Sequence, residues 1–139
     1  MTTEQDIKKI IVNRLKAAKY TVPASETKEG FNKPAVFVTV YPSSITRINT
    51  DLEQVTDSVE IRYYPRNETN EECALTAQKM RKLFMYSTLD ISDRHFTIET
   101  MDLEIEDRVL YVFFDLEYTH AIEQDDDYDI AEILEMEGA

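Results

Sequence analysis

Cysteine and glycine are scarce in this sequence, and their scarcity excludes several kinds of site. The 139 residues include one cysteine, Cys73, and two glycines, Gly30 and Gly138. A single cysteine excludes an internal disulfide framework and a zinc site built from cysteines. Two isolated glycines leave no glycine-rich loop of the Rossmann or P-loop type, in which the backbone approaches a phosphate closely.

Basic residues are also few. The sequence has 15 lysines and arginines against 28 acidic residues, which gives a net charge of -13. General affinity for nucleic-acid backbones or anionic lipid needs basic patches, so the composition argues against both partners. No apolar run approaches the roughly 18 residues of a membrane-spanning helix, and the polar N-terminal segment lacks the pattern of a signal peptide. We therefore expect a soluble protein with no membrane partner.

The acidic residues are concentrated at the C-terminal end. Residues 123–139 contain eight acidic residues and no basic one. Like charges at this density repel one another, although Ile130, Ile133 and Leu134 lie among the carboxylates. We predict a single domain over residues 1–122 and an acidic tail over residues 123–139, which is either disordered or a short helix.

Two segments have the periodicity of amphipathic helices. The first is expected to begin at Thr3 and to end near Lys19, with apolar residues recurring every three or four positions. Asn70 is the expected N-cap of the second helix, whose apolar stripe runs from Cys73 to Phe84.

Apolar runs or alternating patterns predict strands in four further segments. Residues 35–41 are apolar on both faces, which is typical of a central strand. Residues 55–63, 96–105 and 109–118 alternate between apolar and polar side chains, with a break expected near Thr100. The order helix, strand, strand, helix, strand, strand predicts an α+β domain, in which two helices cover one face of a mainly antiparallel sheet of about four strands.

Residue types that carry catalysis or bind metals do not form a recognisable motif. His95 and His120 have no cysteine or second histidine at ligand spacing, and Cys73 lies on an apolar helix stripe beside Glu72. Acidic residues elsewhere are explained by the helix dipole and by a solvated strand face. We predict no catalytic, metal-binding or cofactor-binding residue and no enzymatic activity. The alternative from a different class is a small metal-dependent enzyme, which stabilisation by Mg²⁺ would support.

The sequence has more apolar side chains than a sheet with helices on one face can cover. The second face must be covered by the connector at residues 21–34, by the tail, or by another subunit. Taken together, the aromatic residues favour an assembling protein. The candidate anchors for an interface on the second face or the edges of the sheet are Phe37, Tyr41, Tyr63, Tyr111 and Phe113.

Three short motifs occur in an order that is typical of one protein family. The first motif, Gly30-Phe31-x-x-Pro34, precedes the first predicted strand. The second, Tyr63-Tyr64-Pro65, ends the second strand, and the third, Asp107-Arg108, precedes the last strand. Over roughly residues 5–120, the sequence resembles the phage tail terminator (tail completion) proteins of tailed phages and prophages of Gram-positive bacteria. The family often has Asp-Gly in the last hairpin turn, where this chain has Asp107-Arg108.

The resemblance implies a structural role with no catalytic site. It implies a ring, commonly a hexamer, that sits on the last ring of the tail tube protein, ends its polymerisation and offers a surface to the head-tail connector proteins. DNA would pass through the lumen without specific binding. The protein would assemble in the host cytoplasm and end at the head-proximal end of the virion tail. A head-closure or neck protein, of similar size and ring habit, is the alternative within this class.

Gly30 and Phe31 carry one further expectation. The Gly30-Phe31 step is expected to turn the connector and to bury Phe31 beside the first strand. Replacing a core phenylalanine with alanine costs ~3–5 kcal/mol, so Phe31→Ala tests this placement.

Overall fold

The secondary structure follows the predicted order, with one small hairpin added. The computed structural model describes residues 4–23 and 30–122, and these form two helices and six strands. The elements are α1 (Glu4–Ala17), β1 (Ala35–Arg47), β2 (Leu52–Tyr64), α2 (Asn70–Met85), β3 (Leu89–Ile91), β4 (Arg94–Phe96), β5 (Asp102–Glu106) and β6 (Val109–Ala121). The expected helix start at Thr3 and the predicted acidic tail lie outside the described residues.

Helix α1 forms because its apolar residues fall on one side. Ile7, Ile11 and Leu15 are fully buried, and their spacing of four residues places them on one face of the helix. The helix is tied to the last turn of α2 and to the segment after it by Arg14, whose guanidinium donates to the carbonyl oxygens of Leu83 at 3.3 Å and Thr88 at 2.9 Å.

Helix α2 begins one residue earlier than the sequence suggested. Thr69, not Asn70, is the N-cap, and its hydroxyl accepts a hydrogen bond from the backbone N–H of Glu72 at 3.2 Å. Thr69 has the extended backbone that a capping residue adopts, whereas Asn70 is already helical. The carboxylate of Glu72 accepts from Tyr63 Oη at 3.0 Å and so joins the start of α2 to β2.

The main sheet has the strand order β1-β2-β6-β5, and every neighbouring pair is antiparallel. Strand β1 is therefore an edge strand, and the expectation that it is central was wrong. Phe31 packs against Phe37 on the second face of β1. An edge strand can therefore be apolar on both faces, and the apolar pattern did not require a central position. The register of β1 against β2 shifts between Pro42 and Ser44.

The turn between β5 and β6 has two residues, Asp107 and Arg108, with φ values of 50° and 63°. Both angles lie in the left-handed region, which is the conformation of the tight turns that join antiparallel strands. The last hairpin turn therefore lies at Asp107-Arg108 and is tight, although no glycine supplies it.

The hydrophobic core lies on one face of the sheet. Alternate residues of β2 and β6 point into it, among them Val59, Ile61, Val112 and Phe114. Both helices pack on this face; the rings of Phe84 on α2 and Phe114, for example, have centroids 5.4 Å apart. The predicted α+β class, with a mainly antiparallel four-stranded sheet and two helices, is confirmed.

A two-stranded hairpin, β3 with β4, was not predicted, and it divides the predicted strand at residues 96–105: Phe96 ends β4 in the hairpin, whereas Asp102 begins β5 in the main sheet. The hairpin packs on the same face of the sheet, where the ring of Phe96 lies 6.0 Å from that of Tyr118. Each of its strands has only three residues, and the turn between them uses Ser92 at a φ of 57°. Such short strands have too few residues for an alternating pattern to indicate them.

Phe31 lies against the sheet but is only half-buried. Its ring packs edge-on against Phe37 at 4.8 Å and Tyr64 at 4.6 Å, on the face away from the helices. Gly30 before it has a φ of +91°, and Pro65 at the end of β2 is buried. Because Phe31 keeps part of its surface in solvent, we now expect Phe31→Ala to lower the free energy of unfolding by about 1–2 kcal/mol, less than a core position. A denaturant melt measures this, with the exposed Tyr86→Ala as a control, and a loss above ~3 kcal/mol would place Phe31 in the core.

Removal of residues 123–139 tests the predicted division into domain and tail. The described core ends at Tyr118 and the last strand at Ala121, before the first deleted residue. We expect the truncated protein to keep its far-ultraviolet circular dichroism and to lose less than about 0.5 kcal/mol of unfolding free energy. A truncated protein that fails to fold would show that the acidic segment is part of the domain.

Candidate assembly surface

The face of the sheet opposite the helices carries a group of aromatic side chains, which we call the helix-free face. Strands β1, β2 and β6 contribute the alternate residues that do not point into the core. The members of the group are Phe37, Tyr41, Tyr64, Tyr111 and Phe113. Four of the five predicted anchors, all except Tyr63, are therefore brought to one face.

One half of the helix-free face is packed. The ring of Phe37 lies 5.6 Å from that of Tyr64, and Phe31 covers both. The guanidinium of Arg62 lies over the ring of Phe37 at 5.7 Å, a geometry in which the ring face attracts the cation. Phe37 is consequently only 5% exposed and serves as the base of this half.

The other half of the face is open. Tyr111 and Phe113, two residues apart on β6, have nearly parallel rings 6.3 Å apart, and both are half-buried. Burial raises the pKa of the Tyr111 hydroxyl. Tyr41 on β1 is 47% exposed. These three side chains keep apolar surface in solvent that a partner would cover.

Polar groups border the open half. The hydroxyl of Ser58 donates to the Asp115 carboxylate at 2.8 Å and lies 2.8 Å from the hydroxyl of Ser43. Across the strands, Phe113 pairs with Glu60 on one side and with Asp102 on the other. Aromatic side chains within a polar rim are the usual composition of a protein–protein interface.

Tyr63 does not belong to this surface. Its side chain points into the core, is 6% exposed, and donates from Oη to Glu72 at 3.0 Å. Burial raises the pKa of Tyr63 to about 12. The expected role of Tyr63 as an anchor is therefore corrected, and its neighbour Tyr64 takes the place on the helix-free face.

The residues weighed as catalytic or metal-binding have separate partners in the structure. Cys73 is buried in the core, where burial raises the pKa of its thiol. His95 Nδ1 lies 2.5 Å from the exposed Asp90 carboxylate, and His120 Nε2 lies 2.9 Å from Glu53. Within residues 4–23 and 30–122, no three histidine, cysteine or acidic side chains meet in a group that fits a metal ion.

Sequence reasoning missed Arg62 and Tyr64 as parts of the helix-free face. For Arg62 and Tyr64 a signal was present, because even-numbered positions of β2 point away from the core that Val59 and Ile61 occupy. Phe31 was expected beside the first strand, but its place over Phe37 and Tyr64 depends on the path of the connecting segment, which no periodic pattern reports.

An antiparallel sheet with helices on one face and an exposed aromatic surface on the other is typical of proteins that assemble with other proteins. A protein-family model described as "Phage tail terminator protein" matches residues 6–128. This match spans most of the chain, and the protein belongs to the phage tail terminator family. No curated protein matches the sequence.

Membership of this family gives the protein a role in phage tail assembly and completion, as a structural protein of the virion tail. It also implies contacts with other tail components. In the part of the chain that the structure describes, no helix is long and apolar enough to cross a membrane.

Proposed function

We propose that this protein forms a ring, of six subunits as the resemblance implies, that caps the tail tube, ends its polymerisation and provides the surface for head-tail joining. The observation that carries the proposal is the helix-free face, on which Tyr41 is exposed and Tyr111 and Phe113 are half-buried. A terminator needs such a surface because it must recognise the end of a tube. Matching symmetry lets every subunit of the ring make the same contact.

Charge is consistent with the passage of DNA through the ring. The chain has a net charge of -13, so a lumen formed by several copies repels a polyanion instead of retaining it. The proposal therefore includes no specific DNA binding. Assembly takes place in the host cytoplasm, with the tail tube protein on one side and the connector proteins on the other, and needs no catalytic group or cofactor.

Electron microscopy of tail tubes tests the capping function. Tubes assembled from tube protein alone are expected to reach irregular lengths and to fail to join heads. Addition of this protein is expected to narrow the length distribution and to restore joining. Unchanged tube lengths, combined with restored joining, would contradict capping and favour a head-closure or neck protein.

A further inference from the structure

Strand β6 is much longer than its neighbour β5, and part of its edge lies open. β6 has 13 residues and β5 has 5, and β5 pairs only with the first part of β6, up to Phe113. In the part of the chain that the structure describes, residues 114–121 have β2 on one side and no strand on the other. We call this unpaired side of residues 114–121 the open β6 edge. Such an edge presents backbone N–H and C=O groups on which another strand can add.

The hairpin between β5 and β6 determines which backbone groups face the open β6 edge. Its two-residue turn closes on the pair Glu106 and Val109, which in such a hairpin is a hydrogen-bonded pair. Bonded and non-bonded pairs alternate along antiparallel strands, so the odd-numbered residues of β6 turn their N–H and C=O groups towards the β5 side. Beyond β5 these residues are Asp115, Glu117, Thr119 and Ala121. All four are exposed, and among the described residues no backbone hydrogen bond from a loop or turn reaches them.

A cavity of about 510 Å³ lies beside the open β6 edge. It is lined by residues 113–117 of β6 and, from the side of the β3–β4 hairpin, by β4 residues and the segment after them, among them Thr97 and Thr100. That segment therefore leaves space beside β6. An extended segment placed in this space would continue the line of β5 and would lie next to Phe113 on the helix-free face.

The lining of this cavity is acidic. Glu99, Asp102, Asp115 and Glu117 contribute carboxylates, and His95 is the only described lining residue that can carry a positive charge. Asp115 and Glu117 are two positions apart and lie on the helix-free face, opposite serine and threonine residues of β2. A strand added beside them therefore meets a carboxylate at every second residue. Like charges directly opposite are unfavourable, so the edge discriminates against acidic segments and favours basic ones.

We propose that the open β6 edge binds an extended basic segment of a partner protein, which adds to the sheet as a strand in the line of β5. The segment exchanges backbone hydrogen bonds with Asp115, Glu117 and Thr119, and its basic side chains lie opposite the carboxylates of Asp115 and Glu117. In this mode of recognition the main-chain bonds supply affinity and the alternate side chains supply specificity. The inference goes beyond the proposed ring and its capping of tubes, and its test requires neither.

A synthetic peptide with lysine at three alternate positions and valine or threonine between them is the probe. Titration calorimetry is expected to show binding that weakens at raised salt, since exposed charge pairs are screened. Hydrogen exchange followed by nuclear magnetic resonance is expected to show at least about 10-fold slower exchange of the N–H groups of Asp115, Glu117 and Thr119 when the peptide is bound. A peptide with glutamate in place of each lysine is expected not to bind.

Methylation of the peptide backbone separates strand addition from simple charge attraction. In the antiparallel arrangement the lysines opposite Asp115 and Glu117 turn their N–H groups towards β6, and the residues between them turn theirs away. Methylation of two of these lysine nitrogens removes two hydrogen bonds and is expected to weaken binding about 10-fold or more. Methylation of the intervening nitrogens leaves every bond to β6 in place and is expected to leave the affinity unchanged.

Neutral variants of the protein test the part played by charge. Asp115→Asn with Glu117→Gln is expected to weaken binding of the lysine peptide at least about 10-fold, and asparagine can still accept the hydrogen bond from Ser58. The matched control is Glu71→Gln with Asp107→Asn. It removes the same charge from two exposed positions outside the cavity and is expected to bind the peptide as the wild type does.

Three results would overturn the proposal: a lysine peptide that does not bind, equal losses from the two methylation patterns, or slow exchange at Asp115, Glu117 and Thr119 in the free protein. Slow exchange that is lost on removal of residues 123–139 would assign the open β6 edge to that segment instead. Slow exchange that increases with protein concentration would assign it to a second copy. An unchanged affinity of the Asp115→Asn and Glu117→Gln variant would contradict recognition of basic side chains.

Discussion

Asp57→Asn is expected to raise the free energy of unfolding at pH 8 by about 2–3 kcal/mol, because Asp57 is a buried acid. The carboxyl is 0% exposed, and Tyr118 donates to its Oδ2 at 2.9 Å. Burial raises the pKa of Asp57 from 3.8 to about 6, the nearby Glu4 carboxylate raises it further, and the Tyr118 hydrogen bond and His120 act in the opposite direction.

The sign of the pH dependence follows from proton binding. Between the unfolded pKa of 3.8 and the folded pKa of about 6, the folded chain holds a proton that the unfolded chain has lost. The stability that Asp57 contributes is therefore present below pH 3.8 and is lost as the pH rises through about 6, at a cost of ~3 kcal/mol. Asparagine does not ionise and still accepts from Tyr118, so the gain from Asp57→Asn is small near pH 4 and grows towards pH 8.

Denaturant melts of wild type and variant across this pH range measure the difference. Asp90→Asn is a matched control, because the exposed Asp90 has its pKa lowered by the hydrogen bond to His95 and gains nothing from loss of its charge at pH 8. If Asp57→Asn is less stable than wild type at pH 8, the charged carboxylate is itself required, and the interpretation of Asp57 as a buried cost is wrong.

Asp57 also shows where sequence reasoning ends. Its position in the alternating run with Val59 and Ile61 predicts that its side chain faces the core, which the structure confirms. Its partner Tyr118 lies 61 residues away, on a strand whose register against β2 no local pattern reports. Strand identity and facing follow from periodicity, whereas the pairing of polar groups across strands depends on the register.

The same alternation explains the error at Tyr63. Residues of β2 two positions apart share a face, so Tyr63 belongs with Ile61 in the core, and Tyr64 belongs with Arg62 on the other side. The alternation alone was sufficient to place Tyr63 in the core. The error arose because Tyr63 and Tyr64 were considered together as one aromatic pair. The edge position of β1 was a different case, because Phe31 covers Phe37 from a segment without periodic pattern.

Introduction of a charge on the open half of the helix-free face is expected to abolish tube capping. Tyr111→Glu places a carboxylate where the proposed partner buries an aromatic ring, and an unpaired buried charge costs several kcal/mol, enough to lower affinity by more than about 100-fold. Phe113→Lys likewise places a charge where the proposed partner buries an aromatic ring, and it is expected to lower the affinity for that partner. Since Phe113 pairs across the strands with Glu60 and Asp102, the lysine has acidic neighbours that favour the folded domain.

Tube-length measurements by electron microscopy are the readout, and circular dichroism must first show that each variant is folded. Tyr86→Glu is the matched control, since Tyr86 is 65% exposed beside α2, away from the helix-free face, and its replacement is expected to leave capping intact.

Native mass spectrometry separates two ways of losing function. Variants at Tyr111 or Phe113 that still form rings but do not cap place the helix-free face against the tube, whereas variants that no longer form rings place it between subunits. Folded variants at both positions that cap tubes as the wild type does would show that the helix-free face contacts neither partner.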